Sequence, residues 1–226
     1  MTTALVTGSG RGIGKETAIL LAKKGVNVIV CSRTQSEIEE TVKAISLLHT
    51  GVLGVKCDVS VSPEVDNLVK KSLGKFDKID ILINNAGIVF VKQLTDTSEK
   101  EWNETINSNL KSAFLCSKAV IPHMKCGTII NVSSWAGKTG FENLSAYCAS
   151  KFGLIGLTES LAWEVANQGI RVMTICPGEV ATKMQEGDPE SYGQEKGRML
   201  KPEQVAAKIV EMIFENKYTN GQSVDI

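Results

Sequence analysis

The sequence carries no net charge, because its 25 basic and 25 acidic residues cancel. It therefore lacks the excess positive charge with which nucleic-acid-binding proteins, and proteins of anionic membrane surfaces, attract their partners. We expect neither a nucleic acid nor a membrane among its partners. Arginine is scarce as well, and the sequence contains it only as Arg11, Arg33, Arg171 and Arg198.

Long apolar runs and targeting signals are also missing. No apolar stretch approaches the roughly 18 residues that a membrane-spanning helix needs. The N-terminus does not show the basic start and apolar run of a secretion signal. We expect a cytoplasmic protein.

Metal-binding signatures are absent too. The six cysteines form no C-x-x-C pair, and the two histidines, His49 and His123, are isolated from them and from each other. Zinc sites need closely spaced Cys and His ligands, so we expect no metal. Without a secretion signal, the cysteines are expected to be reduced and mostly packed in the interior.

Short apolar segments rich in β-branched residues alternate with longer amphipathic ones. The apolar segments lack polar alternation, which is typical of strands buried on both faces of a parallel sheet. Strands are predicted at 3–6, 26–31, 52–57, 79–83, 128–132, 171–175 and 223–226, and helices at 13–24, 35–49, 63–73, 99–123, 145–168 and 202–216. This order predicts an α/β fold: a doubly wound, Rossmann-type parallel sheet of about seven strands, with helices on both faces. We expect one dinucleotide-binding catalytic domain over residues 1–226.

One segment departs from this pattern. Residues 185–197 are rich in Gly, Asp, Glu and Pro, and they follow the sixth predicted strand. We expect a substrate lid over residues 183–200; a solvated loop is the alternative.

Glycines mark the junction of the first strand and the first helix. The strict G-x-G-x-x-G pattern fails, because Ile13 stands at its last position, but residues 7–14 fit T-G-x-x-x-G-x-G. In such a turn the glycines let the backbone approach a pyrophosphate, and the helix N-terminus supplies amide donors. A glycine-rich turn without a ligand is the alternative. The turn residues expected to bind cofactor are Thr7, Gly8, Ser9, Arg11, Gly12, Ile13 and Gly14.

The end of the second strand bears on the choice of cofactor. An NAD site commonly has an acidic residue here, which binds the 2′-hydroxyl of the ribose. The sequence has Ser32 and Arg33 instead, and Arg11 lies in the glycine turn. Arginines bind a 2′-phosphate through charge-assisted hydrogen bonds, so we predict NADP(H) in preference to NAD(H). Two ordinary surface arginines are the alternative.

Tyr147 and Lys151 open the fifth predicted helix. Their i, i+4 spacing puts both side chains on one face. A lysine cation beside a tyrosine is expected to lower the phenol pKa, so that the phenol exchanges protons with a carbonyl or alcohol oxygen. Tyr192 and Lys196 repeat the spacing, but no strand precedes them, and we interpret that copy as coincidental.

The preceding strand ends at Ser133 and Ser134, on the edge where doubly wound sheets bind their ligands. Ser134 is placed to bind the same substrate oxygen as Tyr147. For Ser133 we favour a structural role.

Taken together, these motifs resemble the short-chain dehydrogenase/reductase family, of the compact single-domain type, along essentially the whole chain. Besides the glycine turn, Ser134, Tyr147 and Lys151, the matching segments are Cys57-Asp58-Val59, Asn84-Asn85-Ala86-Gly87, Asn107-Ser108-Asn109-Leu110 and the 176–182 segment with Pro177, Gly178, Val180 and Thr182. Any one motif is weak, whereas eight in the same order are specific.

The resemblance implies roles for individual residues. Tyr147 would donate a proton to a carbonyl oxygen, and Ser134 would orient that carbonyl. Lys151 would lower the Tyr147 pKa and bind the nicotinamide ribose, and Asn109 would hold a water in a relay to Lys151. The resemblance also implies cofactor contacts by Asp58, Val59, Asn85, Ala86 and Gly87, and by the 176–182 segment.

Several aromatic residues remain ambiguous. Trp135 and Phe141 lie between Ser134 and Tyr147, where the family lines its substrate pocket, and packing is the equal alternative. A second group is expected in the core or at an interface: Trp102, Phe114, Phe152 and Trp163. By resemblance, a homo-oligomer is expected, a dimer or tetramer formed through the long central helices.

The function predicted is hydride transfer between NADP(H) and a small carbonyl or secondary alcohol, with a ketone or 3-oxoacyl thioester as first choice. A sugar or polyol dehydrogenase is an alternative within that class. An NADPH sensor without turnover, and a dehydratase or epimerase using the same Tyr–Lys pair, are alternatives from other classes.

Overall fold

The computed structural model of the chain describes residues 1–182 and 199–226. Of the expected lid, only residues 199 and 200 fall within this part, and the repeated pair Tyr192 and Lys196 lies outside it. The strands are β1 (Thr3–Thr7), β2 (Asn27–Ser32), β3 (Val52–Lys56), β4 (Ile81–Asn84), β5 (Gly127–Val132), β6 (Ile170–Cys176) and β7 (Ser223–Asp225). The helices are α1 (Gly12–Lys23), α2 (Gln35–Ser46), α3 (Ser62–Phe76), α4 (Glu99–Ile106), α5 (Ser112–Val120), α6 (Ser145–Glu164) and α7 (Pro202–Phe214).

All seven strands form one parallel sheet in the order β3-β2-β1-β4-β5-β6-β7. The strand order reverses between β1 and β4, where a crevice opens at the carboxyl ends of the strands. The predicted doubly wound, single-domain α/β fold is therefore confirmed.

Successive residues along each strand face opposite helical layers. Val28 and Val30 of β2 pack with residues of α1, α2 and α7, whereas Ile29 and Cys31 pack with residues of α3, α5 and α6. Because both faces are covered, polar alternation along the strands would place unpaired polar groups in the core.

The helix predicted at 99–123 is divided. Between α4 and α5 the chain forms a π-helical turn over Asn107–Lys111, and a 3₁₀ turn follows α5 over Ile121–His123. The wider π turn contains Asn109, which is buried. Such turns occur frequently at functional sites.

Polar side chains inside the protein fix α6 on the sheet. The Asn84 amide donates to Asn131 Oδ1 at 2.8 Å, and Asn131 Nδ2 donates to Thr158 Oγ1 at 2.8 Å. Thr174 of β6 donates to the same Thr158 hydroxyl at 2.7 Å. Buried hydrogen bonds of this kind define one register, so α6 carries its first turns to a fixed place above β5.

Neither a membrane-spanning helix nor a metal site is found in the part of the chain that the structure describes. Over residues 1–182 and 199–226, no helix combines the length and apolar character that crossing a bilayer requires. The same ranges contain no cluster of three or more His, Cys, Asp or Glu arranged to hold a metal ion.

Candidate active site

Four neighbouring strands end at one edge of the sheet, and the predicted site residues follow them. β1 leads into the glycine turn, β4 into Asn85, β5 into Ser133 and Ser134, and β6 into Pro177. The parallel sheet thus brings together segments that are up to 170 residues apart in the sequence.

The glycine turn is in close contact with the segment after β4. The Thr7 hydroxyl accepts hydrogen bonds from the amides of Asn85 and Ala86, at 2.9 and 3.0 Å. Gly8 has φ +61°, and an added Cβ would lie 2.9 Å from Ala86 Cα. Glycine is required here because both the left-handed conformation and the close approach exclude a side chain.

Helix α1 begins without a capping group. Arg11 precedes the helix in an extended conformation, no side chain caps it, and its first turn contains no acidic residue. The amides at its N-terminus therefore present donors and the positive end of the helix dipole, which suits a pyrophosphate. Thr182 lies above this turn, with its Cγ2 3.5 Å from the position of a Cβ on Gly12. These residues fit a dinucleotide cofactor.

Ser9 lies in the glycine turn but holds the turn together instead of facing outward. It is fully buried, its hydroxyl donates to Val6 O at 2.6 Å, and it accepts from the Cys31 amide at 3.0 Å. The hydroxyl of Ser9 therefore has a structural role, and the expected binding of cofactor by Ser9 stays a prediction for its backbone. Because these hydrogen bonds connect the end of β1 to β2, Ser9 fixes the position of the glycine turn relative to the sheet.

The end of β2 also departs from expectation. The sequence places no acidic residue there, but the structure brings one in from α2. Glu37 Oε1 lies 3.4 Å from Arg11 Nη1, and Glu37 Oε2 accepts from the Ser32 hydroxyl at 3.4 Å. The first turn of α2 folds back over the strand end, so a residue five positions after Ser32 becomes its neighbour. Arg33 is exposed.

The segment after β3 lies on the same side of the crevice. The Asp58 carboxylate accepts hydrogen bonds from the amide and the hydroxyl of Ser60, at 3.0 and 2.7 Å. Val59 is buried beneath it. These hydrogen bonds fix the loop to which the resemblance assigns a cofactor contact.

Tyr147 and Lys151 lie together on the first turns of α6. Lys151 Nζ is 5.4 Å from the centroid of the Tyr147 ring and donates to Val132 O at 2.8 Å. Ser134 begins a 3₁₀ turn, and its hydroxyl accepts from the Ala136 amide at 3.2 Å, which orients it. The neighbouring Ser133 hydroxyl donates to Lys151 O at 3.0 Å and is buried, as its structural interpretation requires.

The pKa values of the Tyr–Lys pair correct one expectation. Burial raises the pKa of Tyr147 to about 12, and its interaction with the Ser134 hydroxyl offsets part of this rise. Burial lowers the pKa of Lys151 to about 8. The lysine was expected to lower the phenol pKa, but in this site burial has the larger effect. At neutral pH the phenol therefore carries its proton.

Asn109 connects two parts of the site. Its side chain accepts from the Ile88 amide at 2.7 Å, and it donates to Ile88 O and to Ser150 Oγ at 2.9 and 3.0 Å. Ser150 in turn donates to Tyr147 O at 2.7 Å. An added Cβ on Gly87 would lie 3.0 Å from Asn109 Oδ1 and 3.8 Å from Lys151 Nζ, so Gly87 leaves space between them. Ser150 carries no sequence signal of its own and was missed.

The segment after β6 contains Pro177, Gly178 and Val180, which the resemblance assigns to the cofactor. Pro177 O accepts from the Trp135 amide at 3.0 Å, and the Gly178 amide donates to Ile226 O at 3.0 Å. Val180 forms an isolated parallel bridge with Leu200. The segment is therefore held both by the Ser134 loop and by the end of β7.

An apolar surface borders Tyr147. The ring packs against a small buried cluster that contains Leu144 and Cys148, and Val89 and Val91 from the loop after β4 pack against the same cluster. Trp135 and Phe141, the two expected pocket residues, are 53% and 42% exposed. They present apolar surface at the same edge as the phenol.

Replacing Lys151 tests whether its charge contributes to the stability of the fold or to turnover. Its ammonium is buried with its pKa lowered, so the charged form costs stability below a pH of about 8. Because the unfolded lysine binds its proton more tightly, the stability of the wild type gains from this group as pH rises from about 8 toward 10.5. Lys151→Met should match or exceed wild-type thermal stability at pH 7, and this advantage should shrink by pH 10.

The measurement is thermal unfolding of both proteins from pH 7 to pH 10, together with turnover. We expect turnover to fall at least about a hundredfold. A variant that is less stable than wild type at pH 7 would show that Lys151 is a structural residue.

Comparison with known proteins places these motifs in one family. A family model described as short chain dehydrogenase matches residues 2–193. A 3-oxoacyl-[acyl-carrier-protein] reductase of Synechocystis sp. is 40% identical over 91% of the chain and 86% of the relative. A (2S)-[(R)-hydroxy(phenyl)methyl]succinyl-CoA dehydrogenase subunit of Thauera aromatica is 37% identical over 90% of the chain and 85% of the relative. A crystal structure of a short-chain type dehydrogenase/reductase from Mycobacterium marinum superposes with a TM-score of 0.91, at 28% identity, covering 100% of this chain and 93% of the other.

Proposed function

Because the chain belongs to the short-chain dehydrogenase family and is an NAD(P)-dependent oxidoreductase, we propose that it reduces a 3-oxoacyl thioester with NADPH. The observation that carries the proposal is the grouping of Ser134, Tyr147 and Lys151 at the edge of the sheet where the uncapped helix α1 also begins. A proton donor at the edge that suits a dinucleotide supports the proposed reduction.

The reduced nicotinamide, when bound, supplies the hydride to the carbonyl carbon. Tyr147 donates its phenolic proton to the carbonyl oxygen, which becomes the hydroxyl of the product. Ser134 donates a hydrogen bond to the same oxygen and orients the carbonyl. Lys151 would hold the nicotinamide ribose hydroxyls through the ammonium hydrogens that are not donated to Val132 O. Asn109, held by Ile88 and Ser150, orders a water through which Tyr147 regains its proton.

Two observations support a thioester substrate with an acyl chain. Val89 and Val91 are partly buried apolar side chains of the cluster that also packs with Tyr147, and an acyl chain requires apolar side chains near the reacting carbonyl. The two enzyme relatives named above act on thioester-linked groups according to their names.

A panel of ketones tests the substrate class. NADPH absorbance would be followed with 3-oxoacyl thioesters, sugars, polyol-derived ketones and simple cyclic ketones, with Tyr147→Phe as the blank. We expect the highest kcat/KM for a 3-oxoacyl thioester. Faster reduction of sugars or polyol-derived ketones would move the assignment to the polyol dehydrogenases, and binding of NADPH without any turnover would favour a sensor.

The proposed preference for NADP(H) rests on Arg11 and Arg33. Of the other arginines, Arg171 donates to Ile213 O at 2.7 Å and Arg198 lies outside the described residues. Arg33→Asp should weaken NADPH binding at least about tenfold and leave NADH binding within about threefold, because a carboxylate repels the 2′-phosphate. Nicotinamide fluorescence titration of both cofactors measures this. Equal affinities in the wild type would contradict the preference.

A homo-oligomer is proposed through α5 and α6. Phe114 of α5, and Phe152 and Trp163 of α6, are exposed, with Trp163 at 84%. Large apolar side chains exposed at the surface favour an interface. Phe152→Glu should lower the molar mass measured by light scattering to that of a smaller species. The matched control is Leu47→Glu, a charge placed on an exposed apolar residue at the end of α2, which should leave the mass unchanged.

A cytoplasmic location is proposed on the state of the cysteines. All six are free thiols, and five of them are buried. A reducing compartment keeps such thiols unpaired.

A further inference from the structure

Glu37 has no role in the function proposed so far, yet its carboxylate lies over the adenosine end of the glycine turn. It contacts Arg11 on one side and the Ser32 hydroxyl on the other. A Cβ added to Gly10 would lie 2.9 Å from Glu37 Oε2 and 3.1 Å from Ser32 Oγ. Three elements therefore meet at this carboxylate: the turn, the end of β2 and the first turn of α2.

The chemistry of the two cofactors differs at this point. NAD(H) has a ribose 2′-hydroxyl, which can donate a hydrogen bond to a carboxylate. NADP(H) has a 2′-phosphate instead, which a carboxylate repels. Strand β2 ends without an acidic residue, and Glu37 supplies one from the next helix. Arg11 and Arg33 favour the phosphate, so opposite charges compete at one site.

We propose that Glu37 is a specificity-determining residue that narrows the preference for NADP(H) and allows NAD(H) to bind as well. With NAD(H), the Glu37 carboxylate accepts a hydrogen bond from the 2′-hydroxyl and keeps its contact with Arg11. With NADP(H), the contact between Arg11 and Glu37 breaks, and Arg11 turns to the 2′-phosphate. This inference rests on the proposed dinucleotide binding, not on the identity of the carbonyl substrate.

The side-chain environment supports a movable carboxylate. Arg11 is 61% exposed and Glu37 is 24% exposed, and the distance of 3.4 Å between them is long for an ion pair with a charge-assisted hydrogen bond. Exposed pairs of this kind contribute little to stability, so breaking one costs little. Glu37 and Arg11 can therefore separate to bind NADP(H) or stay together to bind NAD(H), at little cost in stability.

The test measures binding, not turnover. Dissociation constants of NADH, NADPH and 2′,5′-ADP would be measured for wild type, Glu37→Gln and Glu39→Gln. Glu39 is the matched control, because it lies on the same helix and contacts Gln35 instead of Arg11 or Ser32. Glu37→Gln should tighten NADPH and 2′,5′-ADP binding about tenfold, because the repulsion of the 2′-phosphate is removed. It should weaken NADH binding severalfold, because a neutral amide oxygen replaces the charged carboxylate as hydrogen-bond acceptor. Glu39→Gln should change neither ratio.

The outcomes separate this inference from the proposed function. An unchanged ratio of NADPH to NADH affinity in Glu37→Gln, with both cofactors still bound, overturns the role of Glu37 and leaves the reductase intact. An equal shift in Glu39→Gln also overturns it, since general charge would then be the cause. Failure of the wild type to bind either cofactor overturns the dinucleotide site itself.

Discussion

Tyr147→Phe should lower the turnover of carbonyl reduction by about 10²- to 10⁴-fold and leave the NADPH dissociation constant within about twofold of wild type. The phenol is the proposed donor, since burial raises its pKa to about 12 and it therefore carries a proton throughout the neutral range. The ring itself packs with Leu144 and Cys148, and phenylalanine preserves that packing. The measurement combines single-turnover NADPH oxidation with fluorescence titration of the cofactor.

Two other tyrosines serve as controls. Tyr192→Phe tests the repeated Y-x-x-x-K spacing, and Tyr218→Phe removes a hydroxyl that bonds to Glu211 near the end of α7. Both should retain wild-type turnover. If Tyr147→Phe retains turnover as well, Tyr147 is not the proton donor.

The pKa of Tyr147 also gives the two reaction directions different pH profiles. Reduction needs the protonated phenol, which persists up to a pH near 12, whereas alcohol oxidation needs the phenolate. The rate of oxidation should rise with pH across the range from 7 to 10. The Lys151 charge is lost above a pH of about 8, so reduction should weaken over the same interval.

Gly14→Ala should weaken NADH and NADPH binding alike, by about a hundredfold, and lower stability by about 1–3 kcal/mol through overpacking. A Cβ at this position would lie 2.5 Å from both Gly8 O and Asn85 Nδ2. Neither neighbour is free to move, because Asn85 Nδ2 donates to Thr7 O and Gly8 O at 3.0 and 3.2 Å. The start of α1 must therefore move away from the glycine turn, and the amides at the N-terminus of α1 move with it.

The matched control is Gly74→Ala in α3, where an added Cβ would meet nothing within 4 Å. Alanine is favoured over glycine inside a helix, so this variant should gain up to about 1 kcal/mol. Thermal unfolding should show the two alanine variants moving in opposite directions. If Gly14→Ala binds both cofactors like the wild type, the turn does not form the pyrophosphate site.

The fold class was predictable because it depends on local periodicity. Strands covered on both faces are mostly apolar, without regular polar alternation, and the segments at 26–31 and 128–132 show this, with Asn27 and Asn131 as isolated polar positions. The helix at 99–123 was predicted as continuous, since a π-helical turn such as Asn107–Lys111 keeps helical composition and has no distinct residue pattern.

The members of the candidate site were predictable where residue type and spacing coincide with a strand end. Ser134 follows β5, and the i, i+4 pair of Tyr147 and Lys151 follows it on α6. Ser9 was predictable as a residue of the glycine turn, whereas only its hydrogen bonds to Val6 and Cys31 show the structural role of its hydroxyl.

By itself, then, the sequence determined the doubly wound sheet, the glycine turn, the family and the residue types available for proton transfer, because these follow from local patterns along the chain. The tertiary structure decided the properties that depend on neighbours distant in sequence. Burial sets the pKa of Tyr147 near 12, against the lowering that the adjacent lysine suggests. The packing of α2 against the turn brings Glu37 to Arg11, 26 residues away, and places a negative charge where the strand end has none. Charge and desolvation act through space, so a chain without net charge still brings Arg11 and Glu37 together at one end of the glycine turn.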